Sequence, residues 1–186
     1  MRHGATEWSE SGRHTGRTDV PLIPAGEESA RDLAAVLAGH TFQLVLTSPL
    51  QRARRTAVLA GFDDAEADRD LMEWDYGDYE GVTTAAIRES VPGWTVWTNP
   101  CPNGESAADV AHRLDRVVDR LRTVEGDSLV FGHGHALRAL AARWVGEPVA
   151  FGRFLRLDTA TYSTLGHERE QSVVLAWNVP ASGGAG

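Results

Sequence analysis

Ser128-Leu129-Val130-Phe131-Gly132-His133-Gly134-His135, followed by Ala136-Leu137-Arg138-Ala139-Leu140, decides the fold class. Four residues with strand character meet a glycine-rich turn, and a run with helical spacing follows to about Val145. The same order occurs upstream. Phe42 to Thr47 is a short apolar run ending at Ser48-Pro49, and Leu50 to Leu59 reads as a helix with Arg52 in its first turn. Gly26 to Leu37 carries Ala30, Leu33, Ala34 and Leu37 at helical intervals. Ser106 to Arg122 is the clearest helix: Ser106 and Asp109 form a capping-box pattern, and Val110, Leu114, Val117, Val118 and Leu121 make one stripe. Arg153 to Leu157, Tyr162 to Leu165 and Ser172 to Trp177 read as strands. Strands separated by helices predict an α/β domain, with a largely parallel sheet covered by helices on both faces. Ligands of such folds bind beyond the carboxyl ends of the strands, where Ser48–Arg52 and Gly132–His135 both fall.

The chain has 186 residues, which suits one domain, here 1–179, with a glycine- and serine-rich tail at 180–186. Its net charge of −8 argues against a general nucleic-acid binder or a protein that coats anionic membranes. No stretch is long and apolar enough to cross a membrane. All 18 basic residues are arginine. Schiff-base chemistry and P-loop phosphate binding both need a lysine, so both are excluded, and any bound anion is held by guanidinium forks, imidazoles or backbone amides. The single cysteine, Cys101, permits no intrachain disulfide and reads as an inert thiol; with no leader visible, a cytoplasmic location is expected.

Five short segments carry chemistry. Arg2-His3-Gly4 alone reads as a solvated end. Arg52 lies where a helix start favours an anion, while Arg54 and Arg55 face solvent. Glu73-Trp74-Asp75-Tyr76-Gly77-Asp78-Tyr79-Glu80-Gly81 is an aromatic and acidic loop. A carboxyl held against its rings would have a raised pKa suited to acid work. Gly104-Glu105-Ser106 caps the long helix. In Gly132-His133-Gly134-His135 the glycines point to close backbone approach by a ligand. His133 and His135 with a carboxylate could also be read as a metal site, but no third ligand with sensible spacing presents itself.

In this order the segments resemble the histidine phosphatase superfamily, the phosphoglycerate-mutase-like proteins, from Arg2 to about Trp177. The resemblance implies a three-layer α/β/α sandwich with a mixed, mostly parallel central sheet. It also implies no metal, no other cofactor and a small phosphorylated substrate, and it leaves a homodimer open. Position by position, His3 is expected as the nucleophile. Arg2, Arg52 and His133 are the expected cationic cradle, and Glu73 the proton donor and acceptor. Thr15 and Gly16 match a loop over the substrate, and Tyr76 and Gly134 match further pocket positions. Ser9 stands where relatives often have asparagine.

The same site could hydrolyse phosphate esters or shuttle phosphate within a sugar acid. From Glu89 to His112 there is no arginine or lysine, and Trp94, Trp97 and three prolines stand there instead. That composition suits an apolar cover and favours a phosphatase of broad specificity, resembling small acid phosphatases, over a mutase. A non-catalytic phosphate-ester binder is the other alternative. The family also has an apolar strand leading into the Arg-His pair, whereas only Met1 stands there in this sequence, so further apolar residues upstream are expected.

Overall fold

The computed structural model describes residues 1–181. Its helices are α1 (Glu7–Ser11), α2 (Pro24–Leu37), α3 (Gln51–Leu59), α4 (Thr84–Ser90), α5 (Ala107–Arg122) and α6 (Gly134–Trp144). Its strands are β1 (Leu44–Thr47), β2 (Glu66–Ala67), β3 (Ser128–Phe131), β4 (Thr161–Glu168) and β5 (Gln171–Pro180). The proposed tail begins inside β5 at Pro180, and its residues 182–186 lie outside the described part.

The sheet explains the apolar strand runs. Strands β2, β1 and β3 lie in that order and are parallel, with Leu44 to Thr47 matched to Ser128 to Phe131. Alternate side chains leave opposite faces of a strand. Leu44, Leu46 and Val130 enter a core with α5 and α6, whereas Val45, Leu129 and Phe131 enter a second core with α2 and α3. Both faces are therefore covered, giving the helix–sheet–helix layering expected from the sequence. Helix α2 buries Gly26, Ala30, Leu33 and Leu37, at nearly one per turn, and opens with Pro24 in its first turn. Helix α5 buries Val110, Leu114, Val117 and Val118, and the Ser106–Asp109 capping box is formed.

One expectation is corrected. Arg153–Leu157 is not a strand: Val149–Phe154 forms tight 3₁₀ turns packed on α6. Gly152 sits so close to Trp97 that a Cβ there would come within 2.7 Å of the indole, a packing that an extended strand reading does not anticipate. The strands expected at Tyr162–Leu165 and Ser172–Trp177 are present as β4 and β5, which pair as an antiparallel hairpin.

Residues 1–3 bridge the two sheets. The His3 amide donates to Gly132, and the Gly132 amide donates to Met1. On the opposite side the Arg2 amide donates to Thr161, and that of Ala160 to His3. The Met1 nitrogen donates to the Val130 carbonyl at 2.9 Å. Beyond this bridge a cavity of about 710 Å³ separates β3 from β4. The bridge sets Arg2 and His3 beside the carboxyl end of β3.

Candidate active site

The nucleophile position is built from backbone contacts. His3 follows the bridge to β3, and its Nδ1 is 2.7 Å from the Gly4 carbonyl oxygen. A carbonyl can only accept, so Nδ1 carries the proton and the Nε2 lone pair is free. Gly4 is held by its amide, which donates to Thr56 Oγ1 at 3.0 Å, and by direct backbone packing on α2. A Cβ on Gly4 would lie 2.2 Å from the Gly26 carbonyl oxygen, and a Cβ on Gly26 would lie 2.2 Å from that of Ala5. Only glycine fits at either position. Burial, then Arg2 and Arg52, hold the His3 pKa well below the usual imidazole value, so the ring is neutral.

Two guanidinium groups flank His3. Arg2 donates through Nη1 to the Leu157 carbonyl, and its buried Nε has no acceptor among the described residues. A Cβ on Gly134 would meet the Arg2 head group at 3.4–3.5 Å, so Gly134 leaves that head group its room. Arg52 is fully buried on the first turn of α3. Its Nε donates to His133 Nδ1 at 3.1 Å, and its Nη groups donate to the carbonyls of Thr15, Gly16 and Thr18 at 3.0 Å.

His133 departs from its expected charge. Nδ1 accepts from Arg52, so the proton of the neutral ring sits on Nε2, 2.7 Å from Ser48 Oγ, and is donated there. Burial, Arg52 and His3 all hold its pKa well below the usual value. The charged groups beside His3 are therefore the two arginines, and His133 is a neutral ring bonded to one of them. The His3 and His133 rings lie 5.2 Å apart.

Glu73 is buried at the amino end of α6. Its carboxylate accepts from the Trp74 amide at 2.9 Å, the His135 amide at 3.0 Å and the Ala136 amide at 2.7 Å. The cradle of apolar rings expected from the sequence is thus replaced at the oxygens by three N–H donors. Glu73 is near enough to Arg2 and Arg52 to act on both electrostatically.

Other expected contacts fall differently. Tyr76 is buried, with its hydroxyl 2.6 Å from His135 Nδ1, so it faces the core rather than an open pocket. The Ser9 hydroxyl is taken up in the α1 capping box with Thr6. Thr15 and Gly16 meet the site through their carbonyls, on Arg52. Trp94 and Trp97 are core residues rather than a cover: Trp94 packs on His14 and Tyr79, and Trp97 on Trp74, His135 and Arg138. Arg54 and Arg55 are exposed as expected, Arg55 pairing with Glu27. His133 and His135 address different partners, Ser48 and Tyr76, and among the described residues no three His, Cys, Asp or Glu side chains converge as a metal site would require. Cys101 is buried, and its thiol is pushed up to about 11, which makes it a poor nucleophile.

The sequence reading assigned no role to Ser48, Thr56, Glu80 or the backbone of 157–161. Ser48 precedes the helix that carries Arg52, and Thr56 lies one turn beyond Arg52 in the stretch Ser48-Pro49-Leu50-Gln51-Arg52-Ala53-Arg54-Arg55-Thr56-Ala57, which was the available signal. The Leu157 carbonyl carries no side-chain signal at all.

Comparison with known proteins agrees with this geometry. The sequence profile described as Histidine phosphatase superfamily (branch 1) matches residues 1–180. An acid phosphatase of Mycobacterium tuberculosis is 44% identical over 173 residues, covering 90% of this chain and 85% of its own. Sedoheptulose 1,7-bisphosphatase of Saccharomyces cerevisiae is 39% identical over 179 residues, covering 78% of this chain and 66% of its own. A solved structure of an open reading frame from Mycobacterium tuberculosis superposes with a TM-score of 0.93 at 41% identity, covering 97% of this chain and 95% of that one.

Proposed function

This chain belongs to the histidine phosphatase superfamily, and we propose that it hydrolyses small phosphomonoesters through a phosphohistidine on His3, without a metal. One observation carries the assignment of the nucleophile: His3 is a neutral imidazole whose Nδ1 proton is fixed on the Gly4 carbonyl, which leaves Nε2 free beside Arg2 and Arg52.

In the first step Nε2 attacks phosphorus and the ester P–O bond breaks. Negative charge spreads over the equatorial oxygens, so the chemistry is mainly positioning and electrostatics. Arg2, with a buried donor lacking any protein acceptor, and Arg52 meet that charge. Glu73 in its protonated form gives its proton to the leaving alkoxide. In the second step Glu73 takes a proton from water, the water oxygen bonds to phosphorus, the N–P bond breaks and His3 is restored. Backbone donors from α6 fix the Glu73 carboxyl for both transfers.

Hydrolysis fits this chain better than mutase chemistry. The segment 89–112 supplies no arginine or lysine to retain a bisphosphate, and Arg88 turns its Nε to the Trp94 carbonyl. The name of the sedoheptulose 1,7-bisphosphatase relative makes sugar phosphates the first substrates to try. A buried, free cysteine suits the proposed cytoplasmic setting.

The test is rapid quench with ³²P-labelled substrate in the presence of a chelator. The expected product is an acid-labile, base-stable adduct on His3, with turnover inhibited by vanadate. Label on another side chain, turnover without any adduct, or loss of turnover on chelation overturns the reading.

A further inference from the structure

The loop between α1 and α2 passes between two charges of opposite sign. Arg52 has five N–H bonds, and four of them are engaged inside the protein: one on His133 and three on the carbonyls of Thr15, Gly16 and Thr18. One N–H on Nη1 remains for an anion. The loop therefore sets where that donor points.

The other edge of the same loop is gripped by Glu80. Its Oε1 accepts from the Gly16 amide at 2.8 Å and from the Thr18 amide at 3.0 Å. Carbonyls of residues 15–18 thus face the cation and amides of the same residues face the anion, the order in which both charges attract the peptide dipoles. Glu80 Oε2 is buried without a hydrogen-bond partner among the described residues. It lies beneath Gly16, where a Cβ would come within 2.6 Å of it and within 2.5 Å of the Trp74 carbonyl. The loop is pressed onto the segment that carries Glu73, and backbone bonds between His14 and residues 81–82 close the seam.

We propose that Glu80 is a positioning residue for phosphoryl transfer: acting through the peptide groups of residues 15–18, its carboxylate fixes the reach of the Arg52 guanidinium. This rests on the role proposed above for Arg52. Removing the charge while keeping the shape loosens the loop, lets the guanidinium settle toward its carbonyl partners and weakens its grip on the transition state more than on the substrate.

The experiment is a double-mutant cycle of Glu80→Gln with Arg52→Lys, reading kcat and KM on p-nitrophenyl phosphate, vanadate inhibition and Tm. Glu80→Gln alone is expected to lower kcat/KM and vanadate affinity about tenfold, mainly in kcat, a modest share of the loss known for deleting a whole donor. In the Arg52→Lys background the same change is expected to cost under about twofold. Unchanged kinetics in Glu80→Gln, or an equal loss in both backgrounds, overturns the proposal. If Glu80→Gln fails to fold, Glu80→Asp keeps the charge and shortens its reach; a folded Glu80→Asp protein with unaltered kcat overturns the proposal equally. Arg52→Lys with full activity would instead sink the role of Arg52 itself, so the two failures are distinguishable.

Discussion

Two buried histidine pairs differ in what holds them. His3 and His133 stand 5.2 Å apart among arginines, and each ring nitrogen but one has an assigned partner: Gly4, Arg52 and Ser48. His14 and His135 stand 6.0 Å apart among aromatic rings, against Tyr76, Trp94 and Trp97. Burial lowers the pKa in all four. In the first pair nearby guanidinium groups are further causes, in the second Arg138 and Arg2 act on His135 as well, and only for His14 is burial the sole cause. Burial makes a histidine neutral; the neighbours of its nitrogens decide whether it can act. The one nitrogen left without a partner in the first pair is the one proposed to attack phosphorus.

The comparison breaks most visibly by deletion. His3→Ala is expected to lose on the order of 10⁴-fold or more in kcat, the scale seen when a nucleophile is removed. His135→Ala should keep kcat/KM within about tenfold, because the backbone amide rather than the ring holds Glu73. It should lose about 3 kcal/mol of stability from the cavity and the orphaned Tyr76 hydroxyl. Parallel kinetics and urea unfolding check both, and a dead but stable His135→Ala enzyme would erase the distinction.

Acid sharpens it. For His14 the folded pKa is about 4 against an ordinary 6.5. As pH falls between these values the unfolded chain binds a proton that the folded chain does not. The stabilisation is complete above 6.5 and is lost toward 4, by at most about 1.4 kcal/mol per pH unit. His14→Phe should flatten the unfolding free energy across that window, as measured by urea titrations at several pH values. In the pair proposed to be catalytic the same direction of shift should preserve activity. His3 stays neutral below 6.5, so kcat/KM should not decline there in the manner of an ordinary imidazole. The smallest effect is at the surface: Arg55→Ala breaks an exposed pair with Glu27 and should leave Tm and kcat unchanged in a thermal melt and a steady-state assay.

The layers were legible in the sequence wherever a local pattern reports burial. The α5 stripe and its capping box, and the strand–turn–helix of 128–145, are local and survive in the fold. What the pattern cannot report is direction and partner count. Trp94 and Trp97 look the same on paper whether they cover a substrate or fill a core. Arg153–Leu157 has strand-like residues, but packing on α6 overrides them. The neutrality of His133 was illegible, because it depends on burial in the fold and on Arg52, 81 residues away in the chain. The carbonyls that hold Arg2 and Arg52 leave no trace in residue type.

The contact between Gly4 and Gly26 reaches beyond the pocket. A saturation screen scored by turnover would rank position 26 beside the charged groups, although it lies on a helix and has no side chain with which to touch a substrate. Even a methyl group there would shove the nucleophile's backbone out of register. Engineers who set out to recast the outer layer of this enzyme should therefore treat that turn of helix as part of its interior machinery.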